Sequence, residues 1–286
     1  MIQLLPGLIV ALPFLAAAII RIPLVAHHRV AVDVISVLGA ALTGIIAAWA
    51  CAHGMETPIV HWIGGWVPRS ETAIGIALVA DGMSAGFITL TAVITTTGLL
   101  FMCGSYKTSG SNLHILTLVF LGAFAGFVLA GDLLTMFVFL ELMGISSYIL
   151  TAFKENDDAP VQAGFNVAVV STLGAFIFLI GSAMIYGIVG TPNLAQASER
   201  VAQVEVSPAL TVAFALLLSG LSIKAGLLPF HFAHVDSHSV APTPHAGLFG
   251  TVLLQAGLYG IARIGSILFE AARFDSDALR NLMVFA

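Results

Sequence analysis

Long apolar runs separated by short polar stretches dominate this sequence. About eight of them are long enough to cross a bilayer as a helix, which takes about 20 residues. They cover residues 2–20, 30–52, 82–103, 112–130, 133–153, 161–188, 208–228 and 245–269. The pattern predicts an all-α, polytopic membrane protein.

The polar stretches divide the chain into four parts. We expect an N-terminal transmembrane hairpin (1–53), an extracytoplasmic loop with a short hairpin (54–81), a module holding the other spans (82–270) and a polar connector (271–286). Residues 192–207 predict an aqueous loop. Residues 281–286 are apolar again and predict the start of a ninth helix in a truncated or split polypeptide, with a short interfacial tail as the alternative.

The overall composition favours the same class. Hydrophobic residues make up 59% of the 286 residues and charged residues 9%, whereas a soluble domain carries about a quarter charged residues. No basic stripe indicates a nucleic-acid partner. Cys51 and Cys103 fall near the ends of successive spans, so we expect neither a disulfide nor a metal site from them. No cofactor motif or hydrolytic triad is visible, and we expect no cofactor.

The first run is expected to remain as a helix, because its apolar residues precede Arg21, the reverse of a signal peptide. Orientation depends on Lys and Arg in short loops. With the N-terminus outside, the cytoplasmic side of the first six spans receives Arg21, Arg29, Lys107 and Lys154. The opposite side receives Arg69, Arg200, Arg263, Arg273 and Arg280. We expect the N-terminus outside, although the last three arginines weaken that prediction.

Two opposite charges lie inside apolar runs. Lys224 is in the run that begins at residue 208, and Glu141 is near the middle of 133–153. A charge at the centre of a membrane helix costs about 2.5–3.5 kcal/mol and usually marks a functional site. We interpret the two residues as a pair or a pathway. The alternatives are a lysine that snorkels to the interface and a static ion pair.

The helix that carries Lys224 is predicted to break just after it. Pro229 has no backbone N–H, and its ring crowds the carbonyl of Ala225. Gly226 loosens the same turn. Discontinuous helices at mid-membrane are typical of ion and substrate sites in transporters.

A dense polar cluster follows the break. It contains His231, His234, Asp236, His238 and His245. Imidazoles titrate near neutral pH and can relay protons. Zinc is the rival interpretation, but no Cys pair or His-Glu-x-x-His helix accompanies the cluster, so we expect no metal. Some members could instead be interfacial or bind the broken backbone.

The remaining polar residues of the spans have simpler interpretations. Gln255 is neutral and cannot carry a proton, so an interhelical contact is as good an explanation as a transport role. Asp132 is placed to cap the helix that carries Glu141. Asp33 and His114 lie near predicted helix ends, and we expect both at the interface.

Two of these segments resemble a known family. Gly131-Asp-Leu-Leu-Thr-Met-Phe-Val-Phe-Leu-Glu141-Leu-Met is similar to the fifth helix of the antiporter-like subunits of respiratory complex I, Mrp-type antiporters and energy-converting hydrogenases. Lys224-Ala-Gly-Leu-Leu-Pro229-Phe-His231, continued to Pro244, is similar to the broken seventh helix of that family. The likeness covers most of residues 80–265.

The resemblance implies two inverted five-helix repeats, of which this chain holds the first. Glu141 and Lys224 would be the coupled pair of a proton half-channel, His231 and His238 would line the break, and Asp132 and Asp236 would be supporting residues. Many members carry a lysine where this chain has Gln255. The missing charge could come from His245, from the absent second repeat, or from neither.

We therefore expect a proton-translocating subunit of a complex I-like, Mrp-type or membrane-hydrogenase complex in the cell inner membrane. Its partners would be other membrane subunits, H+ and the lipid bilayer. One alternative is a structural subunit that does not pump. The other is a Na+/H+ antiporter component, although the sequence offers no carboxylate cluster for Na+.

Overall fold

The computed structural model describes residues 2–68, 73, 75–105, 111–153, 158–269 and 271–272. Several residues used to predict orientation lie outside this part of the chain: Arg69, Lys107, Lys154, Arg273 and Arg280. The expected ninth helix at 281–286 lies outside it as well. The predicted orientation therefore stays a prediction.

Helices form most of the described residues. They are α1 Leu5–Arg21, α2 Pro23–Ala26, α3 Arg29–Gly54, α4 Gly82–Ser105, α5 Asn112–Leu129, α6 Leu133–Thr151, α7 Asp158–Val189, α8 Leu194–Val201, α9 Pro208–Lys224, α10 Phe232–Val240, α11 Thr243–Leu248 and α12 Leu254–Ile264. A π segment, Phe249–Leu253, joins α11 to α12. Within the described residues, 7 helical segments are long and apolar enough to cross a membrane, and α9 is a shorter apolar helix. The predicted polytopic all-α fold is confirmed.

The helix α5 is the centre of the bundle. It packs against α1, α3, α4, α6 and α12, and most of its residues are buried. Phe120, Phe124 and Phe127 on this helix are fully buried and join the main hydrophobic cluster. Polar side chains on α5 therefore face other helices rather than lipid.

A small hairpin covers one end of the bundle. Its strands β1 (Ile59–Trp62) and β2 (Ala77–Ala80) pair antiparallel, with Ile59 opposite Ala80. The backbone N–H of Gly131 donates to the carbonyl of Ala77 at 2.9 Å, which attaches the hairpin to the connection between α5 and α6.

The predicted aqueous loop at 192–207 contains a short helix, α8, which the sequence did not predict. The side chain of Asn193 accepts from the backbone N–H of Gln196 at 3.2 Å and caps the helix. Leu194, Ala197 and Val201 are buried on one face, as the spacing of an amphipathic helix allows. The charges of the stretch concealed this short apolar face.

Asp132 caps α6 as predicted. Its carboxylate accepts from the backbone N–H of Thr135 at 2.7 Å. Burial raises the pKa of Asp132 above its ordinary value, although the N–H bonds at the helix start oppose the rise.

An ion pair near the hairpin fastens α12 to the start of α4. Arg263 donates to both carboxylate oxygens of Asp81, at 2.6 and 3.0 Å, and to the hydroxyl of Tyr259 at 2.8 Å. That hydroxyl donates to the carbonyl of Val128 at 2.6 Å. Burial alone would raise the pKa of Asp81, but the bonds from Arg263 and Ser84 hold it below its ordinary value. Because Arg263 is held in this ion pair, its charge is a poor guide to the orientation of the chain in the membrane.

Glycines let α7 and α9 touch through their backbones. A Cβ added at Gly220 on α9 would lie 2.6 Å from the carbonyl oxygen of Gly174 and 2.7 Å from the N of Phe178, both on α7. Backbone atoms cannot move aside for an added Cβ as the end of a flexible side chain can. The close approach fixes the position of Lys224, one turn after Gly220.

We expect Gly220→Ala to push α9 away from α7 and to destabilise the protein by about 1–3 kcal/mol, a typical cost of overpacking. Gly187→Ala on α7 is the matched control, since a Cβ there meets nothing within 4 Å. Thermal unfolding in detergent, followed by size-exclusion chromatography, measures both. Equal midpoints for the two variants would contradict the backbone contact.

Candidate functional site

The helix α9 ends at Lys224, as the sequence predicts. Gly226 adopts a φ of 64°, a left-handed conformation that glycine accepts without a side-chain clash. The backbone N–H of Leu227 donates to the carbonyl of Ser222 at 3.0 Å, which closes the helix end. The chain then turns through Pro229, after a cis peptide bond, and resumes as α10. The break leaves Lys224 at the end of a helix inside the bundle.

The side chain of Lys224 is buried between three helices, with 1% of it exposed. Its Nζ donates to the hydroxyl of Ser171 on α7 at 2.7 Å and lies 3.4 Å from Oε1 of Glu141 on α6. Gly144 provides the space, because a Cβ there would lie 3.3 Å from both Nζ and the Ser171 oxygen. The ammonium is therefore held in a closely packed pocket.

Glu141 is the more solvent-exposed residue of this ion pair. Its side chain is 22% exposed, and it meets Lys224 across 83 residues of sequence. A buried ammonium needs a carboxylate nearby, because removal of one partner leaves an uncompensated charge. The two charges singled out in the sequence do meet.

Two histidines of α10 lie next to the break. His234 is buried, and its Nε2 is 3.3 Å from the carbonyl oxygen of Ile223, the residue before Lys224. Nδ1 of His238 makes a short hydrogen bond with the carbonyl of His234. A Cβ at Gly250 would lie 3.3 Å from Nε2 of His238, so this ring faces the π segment.

Other residues of the expected pathway lie apart from the pair. His231 is exposed at the start of α10, and the side chain of Asp236 lies outside the described part of the structure. Asp132 caps the N-terminal end of α6, about 13 Å along the helix axis from Glu141. Gln255 is half-buried on α12, and its Oε1 has no hydrogen-bond partner among the described residues. Within the described residues, no group of three or more His, Cys, Asp or Glu side chains is placed to hold a metal ion.

A second polar cluster was missed from the sequence. His114, near the start of α5, is buried; its Nδ1 is 2.9 Å from the Ser36 hydroxyl, and its Nε2 is 3.5 Å from Oδ1 of Asp33. His245, expected near the break, is fully buried with its Nε2 2.9 Å from the hydroxyl of Thr117.

A signal for this second cluster was present in the spacing. Asp33 and Ser36 on α3, and His114 and Thr117 on α5, are three residues apart and share one face of each helix. Paired polar residues on otherwise apolar helices indicate an interhelical contact.

A known protein family matches the part of the chain that contains both Glu141 and Lys224. The family described as NADH:quinone oxidoreductase/Mrp antiporter, TM, matches residues 130–285. This range begins just before α6 and includes the whole of α7, α9 and α12.

Two curated relatives come from different kinds of complex. The chain is 29% identical over 239 residues to a Na(+)/H(+) antiporter protein of Bacillus subtilis (strain 168), covering 82% of this chain and 46% of the relative. It is 29% identical over 287 residues to an NADH-quinone oxidoreductase protein of Desulforudis audaxviator (strain MP104C), covering 97% of this chain and 55% of the relative. Each of the two relatives is one subunit of its complex. The chain thus spans about half the length of the curated relatives it matches.

Solved structures share the fold. A chain of the membrane-bound sulfane sulfur reductase, an archaeal respiratory membrane complex, superposes with a TM-score of 0.85 and 30% identity, over 99% of this chain and 57% of that one. A chain of the Mrp complex from Dietzia sp. DQ12-45-1b gives a TM-score of 0.82 and 27% identity, over 94% and 49%.

We expect the charges of Glu141 and Lys224 to be coupled in stability. Glu141→Gln alone should destabilise the protein by about 1–3 kcal/mol, less than a fully buried pair because Glu141 is partly exposed. The double variant with Lys224→Met should recover part of that loss, since no buried ammonium remains. Thermal midpoints of the wild type, both single variants and the double variant give the coupling free energy.

The matched control for this cycle compares two buried serines of α7. Ser171 binds Lys224, whereas Ser182 donates to the carbonyl of Phe178 in its own helix. Ser171→Ala should lower the midpoint more than Ser182→Ala. Strict additivity of the two charge substitutions would refute the pair.

Proposed function

The chain belongs to the NADH:quinone oxidoreductase/Mrp antiporter transmembrane family, and from this premise we propose that it is an antiporter-like subunit that moves protons through a half-channel. The half-channel is built on Glu141 and Lys224. The subunit would work in a multisubunit complex in the cell inner membrane, with other membrane subunits and the lipid bilayer around it. Both solved structures reported above are membrane complexes, which supports this assignment.

The observation that carries the proposal is the ammonium of Lys224 at the broken end of α9. Its side chain is 1% exposed, yet it reaches only one carboxylate, at 3.4 Å, within the described residues. Burial opposes the charge on a lysine, and a nearby carboxylate favours it. Such a lysine holds a proton while Glu141 is ionised and releases it when Glu141 is neutralised or moves away.

The histidines beside the helix break provide the next proton acceptors. His234 is hydrogen-bonded at the carbonyl of Ile223, and His238 follows one turn later on α10. Nδ1 of His234 is buried without a hydrogen-bond partner among the described residues. Buried polar atoms of this kind are normally satisfied by ordered water, which also conducts protons. We therefore assign His234 and His238 to the path beyond Lys224, with the exposed His231 at its outer end.

Gln255 supports a second candidate function. A neutral amide occupies the position on α12 where a lysine would carry the proton onward, so the pair could serve only to hold helices together. This structural role predicts that Glu141→Gln lowers assembly far more than proton movement per assembled complex. A third candidate, Na+/H+ exchange, is supported by the name of the Bacillus relative. Proton movement that does not change with Na+ would exclude it.

We expect Lys224→Ala to reduce proton translocation to background in vesicles that contain the assembled complex. Lys224→Arg should also fail, because arginine stays protonated at any accessible pH and cannot pass its proton on. Proton uptake, normalised to the amount of assembled protein, measures both. Ser182→Ala, away from the pair, should pump normally.

The two substitutions separate the candidate functions. If Lys224→Arg pumps like the wild type, a positive charge suffices and the half-channel proposal is wrong. If both variants assemble normally and neither pumps, the structural role is excluded.

A further inference from the structure

Polar side chains connect α3, α5 and α11 at the end of the bundle opposite the hairpin. Their exposure falls steadily inward: the side chain of Arg29 is 38% exposed, Asp33 18% and His114 7%. His245 follows with no exposure at all. A graded series from surface to interior is what a route for a small ion requires. Glu141 and Lys224 have no part in it.

The hydrogen bonds of His114 allow it to gain and lose a proton in place. The Ser36 hydroxyl lies 3.0 Å from the carbonyl oxygen of Asp33 and 2.9 Å from Nδ1 of His114, but it has one hydrogen for both. If that hydrogen goes to Nδ1, then Nε2–H faces the Asp33 carboxylate. If it goes to the carbonyl, Nδ1–H donates to the hydroxyl, and one more proton fits between Nε2 and Oδ1. Rotation of one hydroxyl therefore accommodates both protonation states without repacking.

His245 continues this series into the bundle. The Thr117 hydroxyl donates to the carbonyl of Leu113 at 2.7 Å, so it accepts from Nε2–H of His245 at 2.9 Å. His114 and Thr117 lie one turn apart on the same face of α5. The two imidazoles therefore lie beside neighbouring turns of α5.

Buried hydroxyls extend the polar surface beyond His245. Oγ1 of Thr91 and of Thr95 on α4 is buried with no hydrogen-bond partner among the described residues, whereas Thr96 bonds a carbonyl of its own helix. Thr91 and Thr95 share a helix face with Gly98, where a Cβ would lie 3.9 Å from Pro244. These hydroxyls therefore face α11 and the segment after it.

The same segment leads back to the break in α9. Gly250, which lies against His238, follows His245 by five residues, a rise of about 7.5 Å in a helix. A distance of that size is spanned by one or two waters, for which the two threonine hydroxyls are suitable partners. Along the axis of this segment, His245 is therefore about 7.5 Å from the residue that lies against His238.

We propose that Asp33 and His114 together bind a proton at this end of the bundle and deliver it to His245. This makes them a loading site apart from the pair of Glu141 and Lys224, on a route that joins the α10 histidines beside the helix break. The inference rests on the proposed proton transport. Each transfer breaks one O–H or N–H bond and forms another, with no change of oxidation state. His245 then does what the neutral Gln255 cannot, because an imidazole carries a proton and an amide does not.

Other charged groups around His114 bear on the pH dependence. In the described residues they are Asp33 and Arg29 on α3, His245 on α11, and Cys103 at the end of α4, which interacts with Asp33. Arg29 keeps its charge at every accessible pH. Of the groups around this cluster, His114 and His245 are the imidazoles, the side-chain type whose ordinary pKa lies near neutral pH.

The test measures proton translocation by the assembled complex in vesicles, for His114→Gln and Asp33→Asn, between about pH 6 and about pH 8, on either side of the ordinary imidazole pKa. A loading site matters most where protons are scarce. We expect each variant to lose about tenfold in rate at the alkaline end and much less at the acidic end, so that the alkaline limb shifts to lower pH. Asp33→Asn keeps the shape of the side chain and serves if His114→Gln fails to assemble.

The matched control is Thr43→Ala, also on α3, where the buried hydroxyl donates to the carbonyl of Gly39 in its own helix at 2.8 Å. It should keep most of the alkaline rate. If Thr43→Ala matches His114→Gln in rate and pH profile, loss of any buried hydrogen bond of α3 suffices and the loading site is wrong. Lys224→Ala, measured in parallel, separates the two proposals. If it stops pumping while His114→Gln and Asp33→Asn keep the wild-type profile, the loading site is wrong and the half-channel stands; if it pumps normally, the half-channel is wrong.

Discussion

The high cost of a charge in a low-dielectric interior is the constraint on which this structure depends. Lys224 is almost completely buried, so the protein must supply everything that water would otherwise give its ammonium. Three helices are needed for this: α9 carries the charge, α7 provides the hydroxyl of Ser171, and α6 provides the carboxylate of Glu141. Glycines on α6, α7 and α9 make the approach possible.

At the hairpin end of the bundle, a partly buried charge is also held by an ion pair, but this pair does not exchange protons. Arg263 and Asp81 form a two-bond ion pair there, and Tyr259 ties the arginine to the end of α5. Arginine keeps its proton, so this pair can only hold helices in place. The molecule thus uses lysine and histidine where a proton could move and arginine where the arrangement is fixed.

The sequence alone predicted the features that depend on local chemistry. The spans, the cap at Asp132 and the end of α9 at Lys224 follow from apolar length, a carboxylate at a helix start and a proline after a glycine. For Glu141 and Lys224 the sequence left a pair and a pathway open, and the resemblance to a known family implied the pair. The contact of Ser171 with Lys224 was not predicted, since a helix that is apolar on every side does not reveal which face meets which neighbour. The cluster of Asp33 and His114 was not predicted either, although the three-residue spacing of its polar positions was a signal for it. The short helix α8 was missed because the charges of its stretch concealed its buried face.

The backbone contact between Gly174 and Gly220 determines which parts can move. A contact through main-chain atoms leaves α7 and α9 little room to shift against each other, so we expect Ser171 and Lys224 to move together and to keep their 2.7 Å hydrogen bond. Glu141 is on a different helix, so we expect its 3.4 Å separation from the amine to be the distance that changes. A small sliding of α6 against α7 and α9 would act as a switch, opening or closing the ion pair while the rest of the pocket keeps its shape.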